Sequence, residues 1–373
     1  MELPRKRRMV GSESFRCFTG CRQGPGGSTK SEVSGKIYGP QSKLFLSCDL
    51  TGSTAFKQRP KNGDGAPPWQ KVFLQFYREF PQQLFAQRKD YGCSIDFELW
   101  KAVGDELIFT CDVSAETDIC DAVSVWVRTL SAYKEDNLQH EGQSGLGVKG
   151  GVFLGTFPGP DHESTIPRSP DSESSGRDVV VLNREALLTA DREVEKYIFD
   201  FFGPSIDTGF RVLSRCSSRY LTLSVEVALA LALMDRTPWG SGGPGGEYTF
   251  PNLLLLESME LKGVWGGRSY PIFALDLEAD DPVNAATKKF LPSTATQDDI
   301  KQLCEACYDS SGWPFRMYLP ESKLGRFGEV PTDPLADYLD RAPDPAEGGE
   351  EMAPDFQNPV EVPEDKLPTR PTG

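Results

Sequence analysis

The sequence predicts an α+β fold, an antiparallel sheet with helices on one face, and three observations carry that reading. Short apolar runs suited to buried strands alternate with longer segments whose apolar residues recur at helical spacing. Gly104–Asp105 stands between two strand-like runs and reads as a hairpin turn. The resulting order, β-α-β-β-α-β, is that of the ferredoxin-like split unit.

The elements follow in order. Residues 1–41 are rich in Gly, Ser and basic residues and read as a flexible arm, with partial order around Lys36–Tyr38. Lys43–Cys48 suits a central strand. Trp69–Arg88 carries Val72, Phe73, Phe76, Phe80 and Leu84 at helical spacing behind Pro67 and Pro68, with Pro81 as a kink. Leu99–Val103 and Glu106–Cys111 form the hairpin. Ile119, Val123, Trp126, Val127 and Leu130 mark a second helix with Ser114 as its N-cap, and Leu146–Leu154 returns as a strand. Pro158–Gly176 reads as a polar surface loop. Tyr220–Met234, interrupted by Glu226, reads as a mostly buried helix too short to cross a bilayer. The catalytic domain is expected over residues 42–280, a C-terminal extension over 281–329, and a disordered acidic, Pro-rich tail over 330–373.

Composition narrows the function. A formal charge of −15 argues against a nucleic-acid partner, which needs a basic face, yet leaves room for a small phosphorylated ligand. Arg5–Arg8 runs into Gly, Ser and Cys rather than an apolar stretch, so neither a secretory signal nor a membrane partner is expected. The cysteines number nine and are scattered; Cys304 and Cys307 form a lone CxxC that reads as structural, and a reducing cytoplasm fits. His140 and His162 are the only histidines, which leaves imidazole catalysis little material.

Two segments carry chemistry. In LFLSCDLTGST, Asp49 ends a buried strand before a turn at Gly52, where the N–H groups of Gly52, Ser53 and Thr54 can meet phosphate oxygens. In KAVGDELIF, Asp105 sits at the tip of the hairpin. Carboxylates on adjacent strand tips can share hard cations. Taken singly, such an Asp is more often a turn residue or cap. Likewise Lys101 and Asp200 read as a surface ion pair, Arg211 as a helix salt bridge with Phe210 and Val212 facing inward, and Lys262 as a solvated turn residue.

Together these segments resemble the class III nucleotidyl cyclase domain. The likeness rests on Asp49, Gly52, Ser53 and Thr54; on Lys101, Gly104 and Asp105; on DFFGPSIDTGFR, with Asp200, Phe202, Gly203, Ile206, Asp207 and Arg211; and on Lys262–Gly263 ahead of Tyr270–Leu275. No GGDEF-like motif stands at the hairpin, which disfavours a dinucleotide cyclase or polymerase palm. The resemblance implies a phosphorus–oxygen lyase active as a homodimer, its metal and base residues coming from opposite protomers. Asp49, Asp105 and the Leu50 carbonyl would bind two Mn²⁺ or Mg²⁺ ions. Arg211 would stabilise the α-phosphate, Lys262 would reach the terminal phosphates, and Lys101 and Asp200 would read the base. Asp207 stands where the family has Asn, and Thr156 where many relatives have a phosphate-binding Arg.

A narrower resemblance is to the pyrimidine cyclases of the bacterial anti-phage system called Pycsar, through ELWKAVGDELIF (Glu98–Phe109) and FGPSIDTGFR (Phe202–Arg211). It implies conversion of UTP or CTP to the 3′,5′-cyclic monophosphate, a messenger acting on a separate effector protein. Tyr91, Phe97 and Trp100 are candidates to fill the space a purine's second ring would take. Lys101 and Asp200 are also the pair associated with adenine, so an adenylate cyclase is an alternative. An inactive cyclase-like module that senses nucleotide or dimerises is another.

Overall fold

Strand β1 (Gln41–Thr51) divides its side chains between two faces, as the pleat requires. Leu44, Leu46, Cys48 and Leu50 enter the main core, while Phe45 enters a second, smaller cluster on the opposite side. The computed structural model describes residues 39–58, 68–138, 145–173, 176–189, 192–235, 248–290 and 295–340.

After β1 come α1 (Ser53–Lys57), α2 (Trp69–Tyr91), β2 (Glu98–Val103), β3 (Glu106–Val113), α3 (Glu116–Asn137) and β4 (Gly147–Phe157). Then follow β5 (His162–Pro167), α4 (Val179–Leu188), β6 (Tyr197–Phe202), α5 (Pro204–Leu213), β7 (Tyr220–Leu223) and α6 (Val225–Met234). The rest comprises β8 (Leu253–Glu260), β9 (Ser269–Asp276), α7 (Pro282–Lys288), α8 (Gln297–Tyr308) and α9 (Ala336–Asp340).

Seven strands form one sheet in the order β2-β3-β1-β4-β7-β9-β8, and β5 pairs with β6 in a separate ribbon. The first four strands have the split βαββαβ arrangement, with β1 antiparallel to both β3 and β4. The pair β4–β7 is parallel, because the chain crosses over between them through β5, α4, β6 and α5.

The helical stripe of α2 is buried as its spacing predicts, through Val72, Phe73, Phe76, Phe80 and Leu84, and the helix continues through Pro81. Helices α2, α3 and α6 share the main core with the even-numbered side chains of β1. Residues of the 281–329 extension join that same core: Ile300, Cys304 and Cys307 of α8, then Phe315, Met317, Leu319 and Phe327. Cys304 and Cys307 are both free thiols inside it.

The opposite face is covered where it is apolar. Phe45, Phe153 and Phe157 would face water without α5, whose Ile206 and Leu213 pack on them. Gly209 permits the approach, since a Cβ there would lie 2.4 Å from the Phe153 ring. Helix α5 therefore covers the face opposite the one shared by α2, α3 and α6.

Four local expectations change. Tyr220–Met234 is not one helix: Tyr220–Leu223 pairs with β9, and the chain turns into α6 at the extended residue Ser224. The polar stretch Pro158–Gly176 contains β5, whose pairing to β6 satisfies its backbone. The start of α3 is held by Asp118, whose carboxylate accepts the N–H groups of Ser114 and Ala115 at 2.7 and 3.1 Å, so Ser114 donates rather than caps. Finally, residues 330–340 of the expected tail are placed. The Asp333 carboxylate lies 3.5 Å from Arg184 and 3.7 Å from His162, and a Cβ on Gly159 would run into the Thr332 carbonyl at 2.3 Å. Lys36–Tyr38 and the tail from residue 341 lie outside the described residues. Among the described residues no helix is long and apolar enough to cross a membrane.

Candidate active site

Asp49 sits one residue short of the last β1 position that packs into the core, on the face opposite that core. Its register partners are Glu106 on β3 and Lys149 on β4. The next residue binds the hairpin: the Leu50 N–H donates to the Asp105 carbonyl at 3.2 Å, bringing the two tips together. Gly104 makes the hairpin turn at φ 64°, and its carbonyl accepts the Tyr77 hydroxyl. Gly52 takes φ 75°, and a Cβ there would lie 2.2 Å from the Gly145 carbonyl oxygen. The chain thus turns sharply into α1, with Ser53 buried and Thr54 exposed.

The carboxylates do not stand alone. Lys149 Nζ lies 3.0 Å from Asp49 Oδ2, and Lys57 Nζ lies 3.5 Å from Asp105 Oδ1. Glu106 accepts the Ser47 hydroxyl. Burial pushes the Asp49 carboxyl above its ordinary range; Lys149 opposes this, and the charge of Asp105 adds to it. Burial does the same to Glu106, against its bond from Ser47 and with the repulsion of Asp49. Lys149 pays for its burial through Asp49: the desolvation that would lower its pKa is outweighed, and the ammonium is held above its usual value.

Among the described residues no three His, Cys, Asp or Glu side chains are grouped to hold a metal ion. The donors at the tips, Asp49, Asp105 and the Leu50 carbonyl, are nonetheless all oxygen and adjoin one another. That chemistry suits Mg²⁺ or Mn²⁺, which take one or two carboxylates and fill their other positions with water and phosphate. The residues fit the group.

A second pair lies on β2 and β6. Lys101 Nζ is 2.7 Å from Asp200 Oδ1, and both side chains are about 30% exposed. Asp200 Oδ1 also accepts the Phe201 N–H at 2.9 Å, and the Lys101 ammonium rests 3.9 Å from the Trp100 ring centre. Of the three aromatic residues expected near a base, only Trp100 is here. Tyr91 and Phe97 pack against the main core, and the Tyr91 hydroxyl donates to Asp121 at 3.3 Å.

The third group is carried by α5. Asp161, fully buried, accepts the N–H groups of Thr156 and Ser205 at 3.0 and 2.8 Å and so holds the first turn of α5. Burial raises its carboxyl to about 6, against those hydrogen bonds. Gly203 is required there, since a Cβ would lie 2.4 Å from Asp161 Oδ1. One turn apart on α5 stand Asp207 and Arg211, and Arg211 Nη1 donates to the Asp207 carbonyl at 2.5 Å. Phe210 is half-exposed against Trp100, and Val212 is buried. Asp207 and Arg211 line a cavity of about 600 Å³ with Gly263, Trp265, Pro314 and Phe315. Lys262 is exposed beside Gly263. Neither Asp49 nor Asp105 lines that cavity.

The structure therefore joins Asp49 to Asp105, Lys101 to Asp200, and Asp207 to Arg211 near the Lys262 turn. Thr156 is buried and hydrogen-bonded to the Arg316 carbonyl, so it offers nothing to a ligand. Sequence reasoning missed Glu106, Lys57, Lys149 and Asp161. Glu106 had a signal, since it directly follows Asp105 at the hairpin; that it faces Asp49 depends, like the placing of the other three, on register and packing.

No protein-family model and no curated protein matches the chain. Its fold is similar to the adenylyl cyclase CyaB from P. aeruginosa, at 12% identity and a TM-score of 0.41, covering 63% of this chain and 94% of that one. It is similar to the guanylyl cyclase Cya2, at 14% identity and 0.39, covering 64% and 94%. It is also similar to the guanylate cyclase domain of RhGC from Catenaria anguillulae in complex with GTP, at 12% and 0.38, covering 63% and 97%. At such identities these are likenesses of chain path, not of residues or activity.

Proposed function

We propose that the chain is a nucleotide cyclase that converts UTP, or CTP, to the 3′,5′-cyclic monophosphate and pyrophosphate. The observation that carries this is convergence. Asp49 and Asp105 meet at two strand tips, and Lys101 meets Asp200 at 2.7 Å from 99 residues away, as one chemistry would need them.

Asp49, Asp105 and the Leu50 carbonyl would hold two Mg²⁺ or Mn²⁺ ions. Bound there, the ions supply charge that lowers the pKa of the ribose 3′-hydroxyl and neutralises the departing pyrophosphate. The 3′-hydroxyl gives its proton to solvent water, its oxygen forms the new bond to the α-phosphorus, and the α–β bridging bond breaks with its electron pair on pyrophosphate. Arg211 donates to the α-phosphate oxygens as charge develops on them. Asp207 accepts from a ribose hydroxyl, where an Asn would also donate. Lys262 and the N–H groups of Gly52, Ser53 and Thr54 bind the phosphates.

Lys101 can only donate and Asp200 can only accept, which matches the O4 and N3–H of uracil beside Trp100. The same pair can meet adenine, which is what favours the adenylate cyclase reading. The cavity at Arg211 excludes Asp49 and Asp105, so a homodimer would complete each site with residues of both chains. The cyclic product would act in the cytoplasm on a separate effector protein.

The test is incubation of the purified chain with Mn²⁺ and equal ATP, GTP, CTP and UTP, with products separated by mass. Cyclic UMP is expected to dominate. Dominant cyclic AMP would overturn the pyrimidine assignment alone, and no cyclic product would overturn the cyclase.

A further inference from the structure

Two lysines stand inside the carboxylate cluster with no role so far. Lys149 faces Asp49 directly across the β1–β4 register, with its ammonium 3.0 Å from Oδ2 and its side chain 31% exposed. Lys57 ends α1, lies 3.5 Å from Asp105, and rests 4.7 Å from the centre of the Phe73 ring. Each head group is held where it is by the fold: one by sheet pairing, the other by an aromatic face.

We infer that Lys149 and Lys57 are further polyphosphate anchors of this site, beside Lys262 and the turn amides. They neutralise Asp49 and Asp105 in the free chain, and they transfer to the β- and γ-phosphate oxygens of the substrate when those carboxylates turn to cations. The inference rests on the proposed two-metal reading of the two aspartates. Its argument is charge. Asp49, Asp105 and Glu106 against Lys57 and Lys149 leave one net negative charge at the tips. Two divalent cations reverse this to three positive, and ammonium groups beside them would be repelled. A triphosphate balances that charge and offers each lysine an acceptor, whereas a monophosphate does neither. Lys149 is the stronger anchor, since it stands on a strand paired to β1 and its ammonium lies 3.0 Å from its carboxylate, against 3.5 Å for Lys57.

The experiment measures binding, not turnover. The full chain, saturated with Mn²⁺, is titrated calorimetrically with inorganic tripolyphosphate and separately with UMP, and Mn²⁺ affinity alone is read from the electron paramagnetic resonance of the free ion. Lys149→Met is expected to weaken tripolyphosphate binding about tenfold or more, and Lys57→Met about threefold. UMP affinity should stay within twofold and Mn²⁺ affinity should hold or rise, while Lys149→Arg keeps most of the tripolyphosphate affinity. Should Lys149→Met fail to fold by circular dichroism, Lys149→Gln and Lys57→Met carry the same comparison. Tripolyphosphate affinity unchanged within twofold overturns the inference. So does joint loss of Mn²⁺ and tripolyphosphate, which marks a structural counter-ion, and so does a wild-type chain that binds no tripolyphosphate. The expected binding pattern in a chain that makes no cyclic product would support the anchors and remove the cyclase. Wild-type KM for UTP in a cyclising Lys149→Met would remove the anchor and keep the cyclase.

Discussion

Lys101 and Asp200 are 99 residues apart in sequence and 2.7 Å apart in the structure, bridging the edge of the main sheet to the β5–β6 ribbon. Neither is fully buried, so the bridge itself adds little stability. Its consequence is positional: a lone donor and a lone acceptor are presented side by side next to Trp100.

Under the proposed function, base choice would follow from that pairing. Asp200→Asn adds an N–H donor beside a carbonyl acceptor, which matches the N3 and amine of cytosine. The ratio of kcat/KM for UTP over CTP is expected to fall about tenfold, measured with each substrate alone. Lys101→Ala is expected to lower kcat/KM for UTP by ten- to a hundredfold through the lost charged hydrogen bond. An unchanged ratio in Asp200→Asn would mean the base is read elsewhere.

Assembly is testable by complementation. Asp49→Ala and Arg211→Ala are each expected to be inactive as purified homodimers. Mixed and allowed to exchange, they should recover up to about a quarter of wild-type activity, since half the dimers are hybrids and each hybrid keeps one intact site. Heterodimers that form without recovery would show that each site is built within one chain.

A buried acid predicts a pH dependence of stability. Glu226 is fully buried on α6, accepts the Trp313 indole N–H at 3.3 Å, and burial raises its carboxyl to about 7 from an ordinary 4.5. The folded chain therefore keeps a proton that the unfolded chain has lost between those values. Stability should fall as pH rises through that window, by on the order of 3 kcal/mol, and level off above it. Urea midpoints across pH 4.5–8 should show this slope in the wild type. Glu226→Gln should flatten the part of the slope between about pH 6 and 7, while Asp161, raised to about 6 from an ordinary 3.8, keeps a slope of the same sign at lower pH.

Two truncations separate residues 331–340 from the segment that follows them. Removing residues 341–373 should leave activity within twofold. Removing residues from 331 also deletes Asp333, which lies against His162 and Arg184, and should lower the melting midpoint by a few degrees, about 1–2 kcal/mol. Equal midpoints for the two truncations would show that the Asp333 contacts contribute nothing.

The sequence by itself determined whatever is local. The buried stripe Val72, Phe73, Phe76, Phe80 and Leu84, the hairpin at Gly104–Asp105 and the strand–helix order are written in periodicity and turn residues, which act within a few positions. Asp49 and Asp105 were legible from their places at strand ends beside turns, whereas Lys101, Asp200, Asp207 and Arg211 were pointed to only by the likeness to the cyclase motifs. Tertiary structure decided what pairing and register set. Tyr220–Leu223 became a strand because β4 and β9 offer it partners, whereas a mostly apolar run has too little period to distinguish strand from helix. Helix α5 crossed to the other face because Phe45, Phe153 and Phe157 collect there only once the strands are paired. Lys149 came to face Asp49 for the same reason: a shift of one residue along β4 would turn it to the opposite side of the sheet, and only contacts between distant segments fix that register.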